Sequence, residues 1–343
     1  MTAIELVPTR PLVLDGLEIQ FPLAPGDRTF VQAGATVAVG DPIAERFRDT
    51  HLAEVRLPST PAGEEPPDLR PGERWTLPAH RGGRATRRAT EGELLYAWRG
   101  GWRVAAGDHG DPLDAPVAGI VRAVEPGVRV VVRCAGRAVR GAVALGGPSR
   151  GRLRLAAGPA GELRAGGLDV ALAGTILVVG SRVDAETLTR ARAMGVRGIV
   201  VAGLPSKERR DYLASEARQR AALHRLPPFA VLVLEGAQRR PIAGPIVALL
   251  QGLAGREVAI VGDPPALVFD EPDIAAPVPP GDYVRVRAGE DAGREGRWLE
   301  SLGLQRFAHG VQLEAGRVLF PDGPAVVPIG DLERFADPAG GSQ

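Results

Sequence analysis

The most regular hydrophobic pattern lies between positions 168 and 270. Apolar runs at 175–179, 198–202, 229–234 and 257–261 are short, continuous and rich in Val and Ile, as strands buried on both faces are. Between them the period lengthens to about 3.6. Asp184 can cap a helix that carries Ala185, Leu188, Ala191 and Met194 on one face, and Gly195 is placed to end it. A charged helix is predicted over 206–224 and an apolar one over 242–253. Four strands alternating with three helices predict a parallel α/β sheet with right-handed crossovers.

Either side of this segment the period is two. Residues 1–57 alternate short apolar stretches with turn residues, and 115–146 hold Val and Ala runs broken by Gly119, Gly127, Gly136 and Gly141. With 45 Gly and 31 Pro, the chain predicts many short strands. Residues 58–90 are Pro-rich, then Arg/Gly-rich, and read as an inserted loop. After a Pro-rich linker at 271–280, residues 281–335 alternate again and predict a small antiparallel barrel. The expected class is therefore multidomain α/β plus β: a β-rich region over 1–57 and 91–167, an α/β domain over 168–270 and a small C-terminal β domain. A chain of 343 residues is long for one hydrophobic core, which agrees with several domains.

Two stretches, Val31-Gln-Ala-Gly-Ala-Thr-Val-Ala-Val-Gly-Asp-Pro-Ile43 and Ala115-Pro-Val-Ala-Gly-Ile-Val121, resemble the halves of the biotinyl/lipoyl barrel-sandwich fold. Those carriers hang their cofactor on a lysine between the halves, and this chain has none there, so the resemblance implies a scaffold barrel. At the C-terminus, Gly281-Asp-Tyr-Val-Arg-Val-Arg287 through Gly293-Arg-Glu-Gly-Arg-Trp298, closing on Val327-Pro-Ile-Gly-Asp-Leu-Glu333, resembles a KOW motif of SH3-like barrels. That resemblance implies protein or RNA binding, with Arg285, Arg287, Arg294 and Arg297 as the residues that would face RNA. Together with the run at 193–201, the arrangement resembles an uncharacterised bacterial multidomain family, which implies an architecture and no activity.

Composition narrows the chemistry. Lys207 is the single lysine against 41 arginines, and it begins a charged helix, where nothing in the sequence suggests the dry pocket that a Schiff-base lysine needs. Asn is absent, a skew that fits a GC-rich genome. Cys134 stands alone, which excludes an intrachain disulfide, a thiolate metal cage and an iron–sulfur cluster within one chain. No cofactor is expected. The N-terminus lacks a basic region before an apolar core, and no uninterrupted apolar window reaches membrane-spanning length, so a cytoplasmic protein without membrane insertion is expected. Residues 122–164 carry nine Arg against two Glu, whereas 263–343 carry seven Arg against fourteen acidic residues.

Candidate sites follow from fold and charge. Ligands bind parallel sheets at the carboxyl ends of strands, which singles out Ser181, Arg182, Glu235 and Asp263 for a small anion. Neither a Gly-x-Gly-x-x-Gly turn nor a Walker sequence is present, which disfavours dinucleotide and P-loop chemistry. Asp108-His-Gly-Asp111 is the densest polar cluster, and its place before Pro112 favours a turn over a metal site. For nucleic acid, the candidates are Arg81, Arg84, Arg87 and Arg88 in the inserted loop and Arg133, Arg137 and Arg140 in the basic middle, with Arg129, Arg150, Arg152 and Arg154 nearby. The leading expectation is a non-enzymatic adaptor with protein partners. A nucleic-acid-associated protein and an enzyme or anion-binding protein built on the α/β cleft are the alternatives.

Overall fold

The fold is described from a computed structural model over residues 3–47, 52–56, 68–77, 81–82, 85–86, 90–106, 110–222 and 226–336. Among the described residues it is β-rich, with 46% strand and 16% helix, the helices being three α and several short 3₁₀, consistent with a multidomain α/β plus β class. The chain divides into two compact units, one of Met1–Leu17, Gly136–Arg218 and Pro227–Gln343, the other of Glu18–Ala135 and Gln219–Leu226.

The first unit is built on a nine-stranded sheet. Its order is Val143–Gly146, Ala230–Gly236, Gly198–Gly203, Thr175–Val178, Ser149–Leu155, Glu257–Gly262, Pro265–Phe269, Arg137–Arg140 and Leu14–Asp15. Parallel pairing joins Ala230–Gly236, Gly198–Gly203, Thr175–Val178 and Ser149–Leu155, and the other neighbours in the sheet pair antiparallel. Along Gly198–Gly203 the pleat sends Ile199 and Val201 to one core and Val200 and Ala202 to the other. On the first face lie α1 (Ala185–Ala193), through Leu188 and Ala191, and α2 (Ser206–Ala222), through Tyr212. On the second lies α3 (Gly244–Gly252), through Ile246, Leu249 and Leu250. The Asp184 carboxylate caps α1 by accepting from the Thr187 N–H at 2.7 Å, and Gly195 leaves the helix at φ 83°, a conformation open to glycine.

Two expectations about this sheet need correction. The 257–261 strand was expected to run parallel, but Glu257–Gly262 is antiparallel to Ser149–Leu155 and forms a hairpin with Pro265–Phe269. After α3 the chain re-enters the sheet beside Leu153, with Gly255 N–H donating to the Leu153 carbonyl at 2.9 Å, and from there it runs toward Ser149. Strands at 137–155, expected in the N-terminal β region, belong to this sheet instead. The alternation of Arg150, Arg152 and Arg154 with buried Ser149, Gly151 and Leu153 describes a half-exposed strand and carries no information about its neighbours.

The C-terminal part of the same unit is a six-stranded sheet, ordered Thr9–Pro11, Leu332–Ala336, Tyr283–Val286, Glu295–Arg306, Gln312–Phe320 and Gly323–Pro328. Among the described residues no barrel is closed. Val284, Val286, Trp298, Val318, Phe320, Val327, Ile329 and Leu332 form its core. Trp298 lies directly over Gly316, where a Cβ would approach the indole ring to 2.1 Å.

In the second unit the two glycine-punctuated stretches meet. Thr36–Val37 pairs antiparallel with Gly119–Glu125, and Gly34 N–H and Val121 N–H reach the carbonyls of Val121 and Ala35 at 2.8 Å each. Glu18–Pro22 and Arg129–Cys134 complete that sheet. A second sheet joins Asp111–Asp114, Pro42–Arg46 and Arg28–Thr29, and a third joins Leu52–Arg56, Gly101–Ala106, Thr90–Trp98 and Arg74–Leu77. The segment expected to be a loop over 58–90 thus contributes strand Arg74–Leu77 and the short pair Arg81–Gly82 and Ala85–Thr86.

Candidate functional site

The crevice expected above the parallel strands is filled by the protein's own loops. Ala156 N–H donates to the Val178 carbonyl at 2.9 Å, and residues 156–161 then cover the strand ends so closely that a Cβ on Gly180 would lie 2.2 Å from the Gly158 carbonyl oxygen. Ser181 is buried there, its Oγ donating to the carbonyls of Ala160 and Gly161 at 2.8 and 3.0 Å. Across the crest, a Cβ on Gly203 would meet the Gln238 carbonyl oxygen at 2.0 Å. Arg182 is exposed on a short strand beside Glu162. The Glu162 carboxyl is held below the usual carboxylate range by its hydrogen bond to Arg164 and that residue's charge, with smaller help from Arg239 and Arg182. Asp263 is exposed, and the reversed strand before it carries it to the opposite end of the sheet from Ser181. The four residues expected to share one cleft do not come together.

Glu235 is engaged by three arginines. Its Oε1 lies 2.8 Å from Arg285 Nη1 and 3.4 Å from Arg10 Nη2, while its Oε2 is 3.9 Å from Arg240 Nε. Arg285, which is 0% exposed, also meets Glu333 at 3.3 Å and Glu295 at 3.6 Å and donates to the Pro241 carbonyl at 2.7 Å. Arg10 completes the network through Glu333 at 3.1 Å and lies over the Phe335 ring at 4.8 Å. Burial disfavours the Arg285 charge more than any single neighbour favours it. Glu235, Glu333 and Glu295 together outweigh that cost and raise its pKa. At Arg240 burial wins, and its pKa falls. Three arginines facing three glutamates, with no nucleophile among them, make a clamp between the two sheets of this unit and offer no chemistry. The KOW resemblance had pointed Arg285 outward. Its companions are occupied as well: Arg287 donates to the Gly330 carbonyl, Arg294 pairs with Asp291 and Asp322, and Arg297 pairs with Asp282.

The arginines proposed for nucleic acid are dispersed. Arg81 belongs to a short strand pair, and Arg84, Arg87 and Arg88 lie outside the described residues. Arg133 is exposed in the second unit and Arg140 in the first. Arg137 is turned inward: it lies over the Phe269 ring at 5.2 Å and donates to the Ile274 carbonyl at 2.7 Å and to that of Glu271. Of the Asp108-His-Gly-Asp111 cluster, Asp108 and His109 are outside the described residues. Gly110 N–H donates to Glu45 at 2.6 Å, and Asp111 begins a strand. Among the described residues no group of His, Cys, Asp and Glu could hold a metal ion, and no helix is long and apolar enough to cross a membrane. Lys207 pairs with Asp211 at 3.4 Å on the exposed side of α2.

Two surface features went unread in the sequence. Strand Ser149–Leu155 floors a groove of about 810 Å³, walled by Ala171, Ala173, Gly174, Ala254 and Gly255, with Arg152 and Arg154 exposed in it. The outer face of the C-terminal sheet sets exposed apolar side chains among Arg297, Glu300 and Arg317. Leu299, Leu304, Val311, Leu313, Leu319 and Val326 are all exposed, Leu304 to 63%, and all lie on the last three strands of the sheet or in the turn joining two of them. The pairs Arg297↔Leu319, Leu319↔Pro324 and Arg317↔Val326 place Leu319 and Val326 on the side opposite the core residues Val318 and Val327. Beyond the Gly303↔Ala315 pair the hairpin continues as a two-stranded ribbon, on which the pairs Leu304↔Glu314 and Gln305↔Leu313 put Leu304 and Leu313 on opposite faces. Such ribbons are marginal alone, and exposed apolar patches mark interaction sites. The density of Leu, Val and Phe over 299–313 was the available signal. No protein-family model matches this chain, and no curated protein is similar to it.

Proposed function

We propose that this protein is a non-enzymatic adaptor that docks, through the outer face of its C-terminal sheet, onto a protein partner whose contact patch is apolar at its centre and basic at its rim. Exposed Leu313, Leu319 and Val326, which share that face, carry the reading. Charge adds to it: Glu314 lies among these residues, with Glu300 and Asp322 nearby in pairs with Arg317 and Arg294, in a region that carries fourteen acidic residues against seven arginines. Oriented fields of this kind favour partners of opposite sign.

The order Leu332–Ala336, Tyr283–Val286, Glu295–Arg306, Gln312–Phe320, Gly323–Pro328, with one 3₁₀ turn at Ile329–Asp331 joining the last strands, supports reading this part as a KOW/SH3-like module. Pairing of Thr36–Val37 with Gly119–Glu125 supports a barrel-sandwich scaffold in the second unit, where the missing lysine removes carrier function. Cytoplasmic placement belongs to the same proposal. The enzyme reading loses its residues, because Ser181 and Glu235 are occupied by internal partners.

The test is affinity capture of the full chain from nuclease-treated host lysate, run beside L313E and V326E variants whose circular dichroism matches the parent. A stoichiometric partner retained by the parent and lost by both variants is the expected result. Retention that disappears with nuclease, or that both variants keep, overturns the proposal.

A further inference from the structure

We infer that the groove over strand Ser149–Leu155 is a binding site for a small polyanion of the di- or triphosphate class, held by Arg152 and Arg154. The inference is independent of the adaptor reading and uses a different face of the same unit. Alternate residues of a strand point the same way about 6.7 Å apart, so the two side chains leave the strand on the same face, and both line the groove. Each presents a planar fork of donors that matches phosphate oxygens in pairs.

Elsewhere in this unit Arg10, Arg164, Arg192, Arg240, Arg256, Arg285, Arg294, Arg297 and Arg317 each have a carboxylate within 4.0 Å. Among the described residues Arg152 and Arg154 have none. Exposed arginines without a described carboxylate within 4.0 Å also occur elsewhere in this unit, at Arg140, Arg182 and Arg190, but Arg152 and Arg154 are two such residues on one face of one strand, lining one groove. The one carboxylate lining the groove, Glu257, stands opposite Arg152 in the strand register and pairs with Arg150 at 3.4 Å. Two adjacent cations that share one cross-strand carboxylate, itself paired with Arg150, raise each other's energy, and a bridging anion relieves that repulsion.

The walls argue for a small ligand that is bound and released unchanged. Ala171, Ala173, Gly174, Ala254 and Gly255 leave the floor open to a ligand, and about 810 Å³ lies within the range of small-molecule sites. Wall amides are already bonded, Ala173 N–H to Val170, Gly174 N–H to Gly195 and Gly255 N–H to Leu153, so the guanidiniums supply the binding. No aromatic side chain lines the groove to stack a base, which disfavours a single-stranded nucleic acid. The one hydroxyl there, on Thr175, is buried and donates to the Leu172 carbonyl at 2.5 Å, so no nucleophile faces the ligand.

The experiment is isothermal titration of the full chain with inorganic tripolyphosphate at two salt concentrations. R152A/R154A is compared with R133A/R140A, which removes the same charge from exposed arginines outside the groove. One-to-one binding that weakens with salt is expected. At about tenfold per guanidinium, R152A/R154A should bind about 100-fold more weakly, and R133A/R140A should stay within about twofold of the parent. A173W, which keeps both charges and fills the groove, should also lose binding while its melting temperature holds. No binding by the parent, equal loss in the two double variants, or undiminished binding by A173W overturns the site. Tighter binding of a short oligothymidylate through the same two arginines overturns the ligand class.

Discussion

Replacing Arg285 by methionine tests whether the buried ion network holds the two sheets of the first unit together. Methionine fills most of the volume of the arginine stem and removes the charge, so the experiment reads electrostatics more than packing. Arg285 is 0% exposed, and its loss leaves Glu235, at 5%, and Glu333, at 10%, with two cations in place of three. Breaking a buried pair by removing one partner costs about 3–5 kcal/mol, because the other charge stays desolvated. The lower end applies. Glu235 keeps Arg10 at 3.4 Å and Arg240 at 3.9 Å, Glu333 keeps Arg10 at 3.1 Å, and Arg10 and Glu295 are about a third exposed and partly screened. We therefore expect R285M to lose about 3 kcal/mol, read as a lower midpoint of urea unfolding at unchanged slope. The double variant R285M/E235Q should be less destabilised than the sum of its single variants by about 1–2 kcal/mol, since neither charge is then left without the other. A loss below about 1 kcal/mol for R285M would show that water reaches the network, and additivity in the cycle would show that Glu235 is not its main partner.

Three further outcomes follow from named contacts. G316A drives a methyl into the Trp298 ring and should cost about 1–3 kcal/mol with altered indole fluorescence; a variant as stable as the parent would mean the ring can move aside. Burial, then the Glu295 charge, raises the Tyr283 pKa above the usual phenol value, so the folded state keeps its proton where the unfolded chain releases it. Stability from this residue is complete below about pH 10 and is lost as pH rises past that value, and Y283F should flatten the alkaline fall in melting temperature. D184A removes the acceptor for the Thr187 N–H and should cost about 1 kcal/mol in chemical denaturation, whereas D184N, which keeps an acceptor, should cost less than half of that.

How far the fold could be read beforehand depended on how local the determining interactions are. The α1 cap at Asp184, the Gly195 stop and the apolar runs that became Thr175–Val178, Gly198–Gly203 and Ala230–Gly236 rest on contacts a few residues apart, and sequence periodicity reports those directly. The candidate cleft was not legible, because what fills it comes from loop residues 158–161 lying on Gly180 and Ser181. Arg285 read as a surface residue for a similar reason: its alternation with Val284 and Val286 is that of an exposed strand position. Its counter-charge Glu333 is 48 residues away, and Arg10 reaches that same glutamate across 323.

The sequence by itself determined which segments are strand or helix in the α/β region, that no lysine carries a cofactor between the two barrel-sandwich-like stretches, and that no cysteine pair exists. Only the tertiary structure decided the direction of Glu257–Gly262, the insertion of Ser149–Leu155 beside it, and which arginines are buried, paired or free. The physical reason is that a strand's pattern encodes which of its faces is buried. Its direction and neighbours depend on where the preceding connection returns to the sheet, and the state of a charge depends on partners that only the folded chain brings within 4 Å.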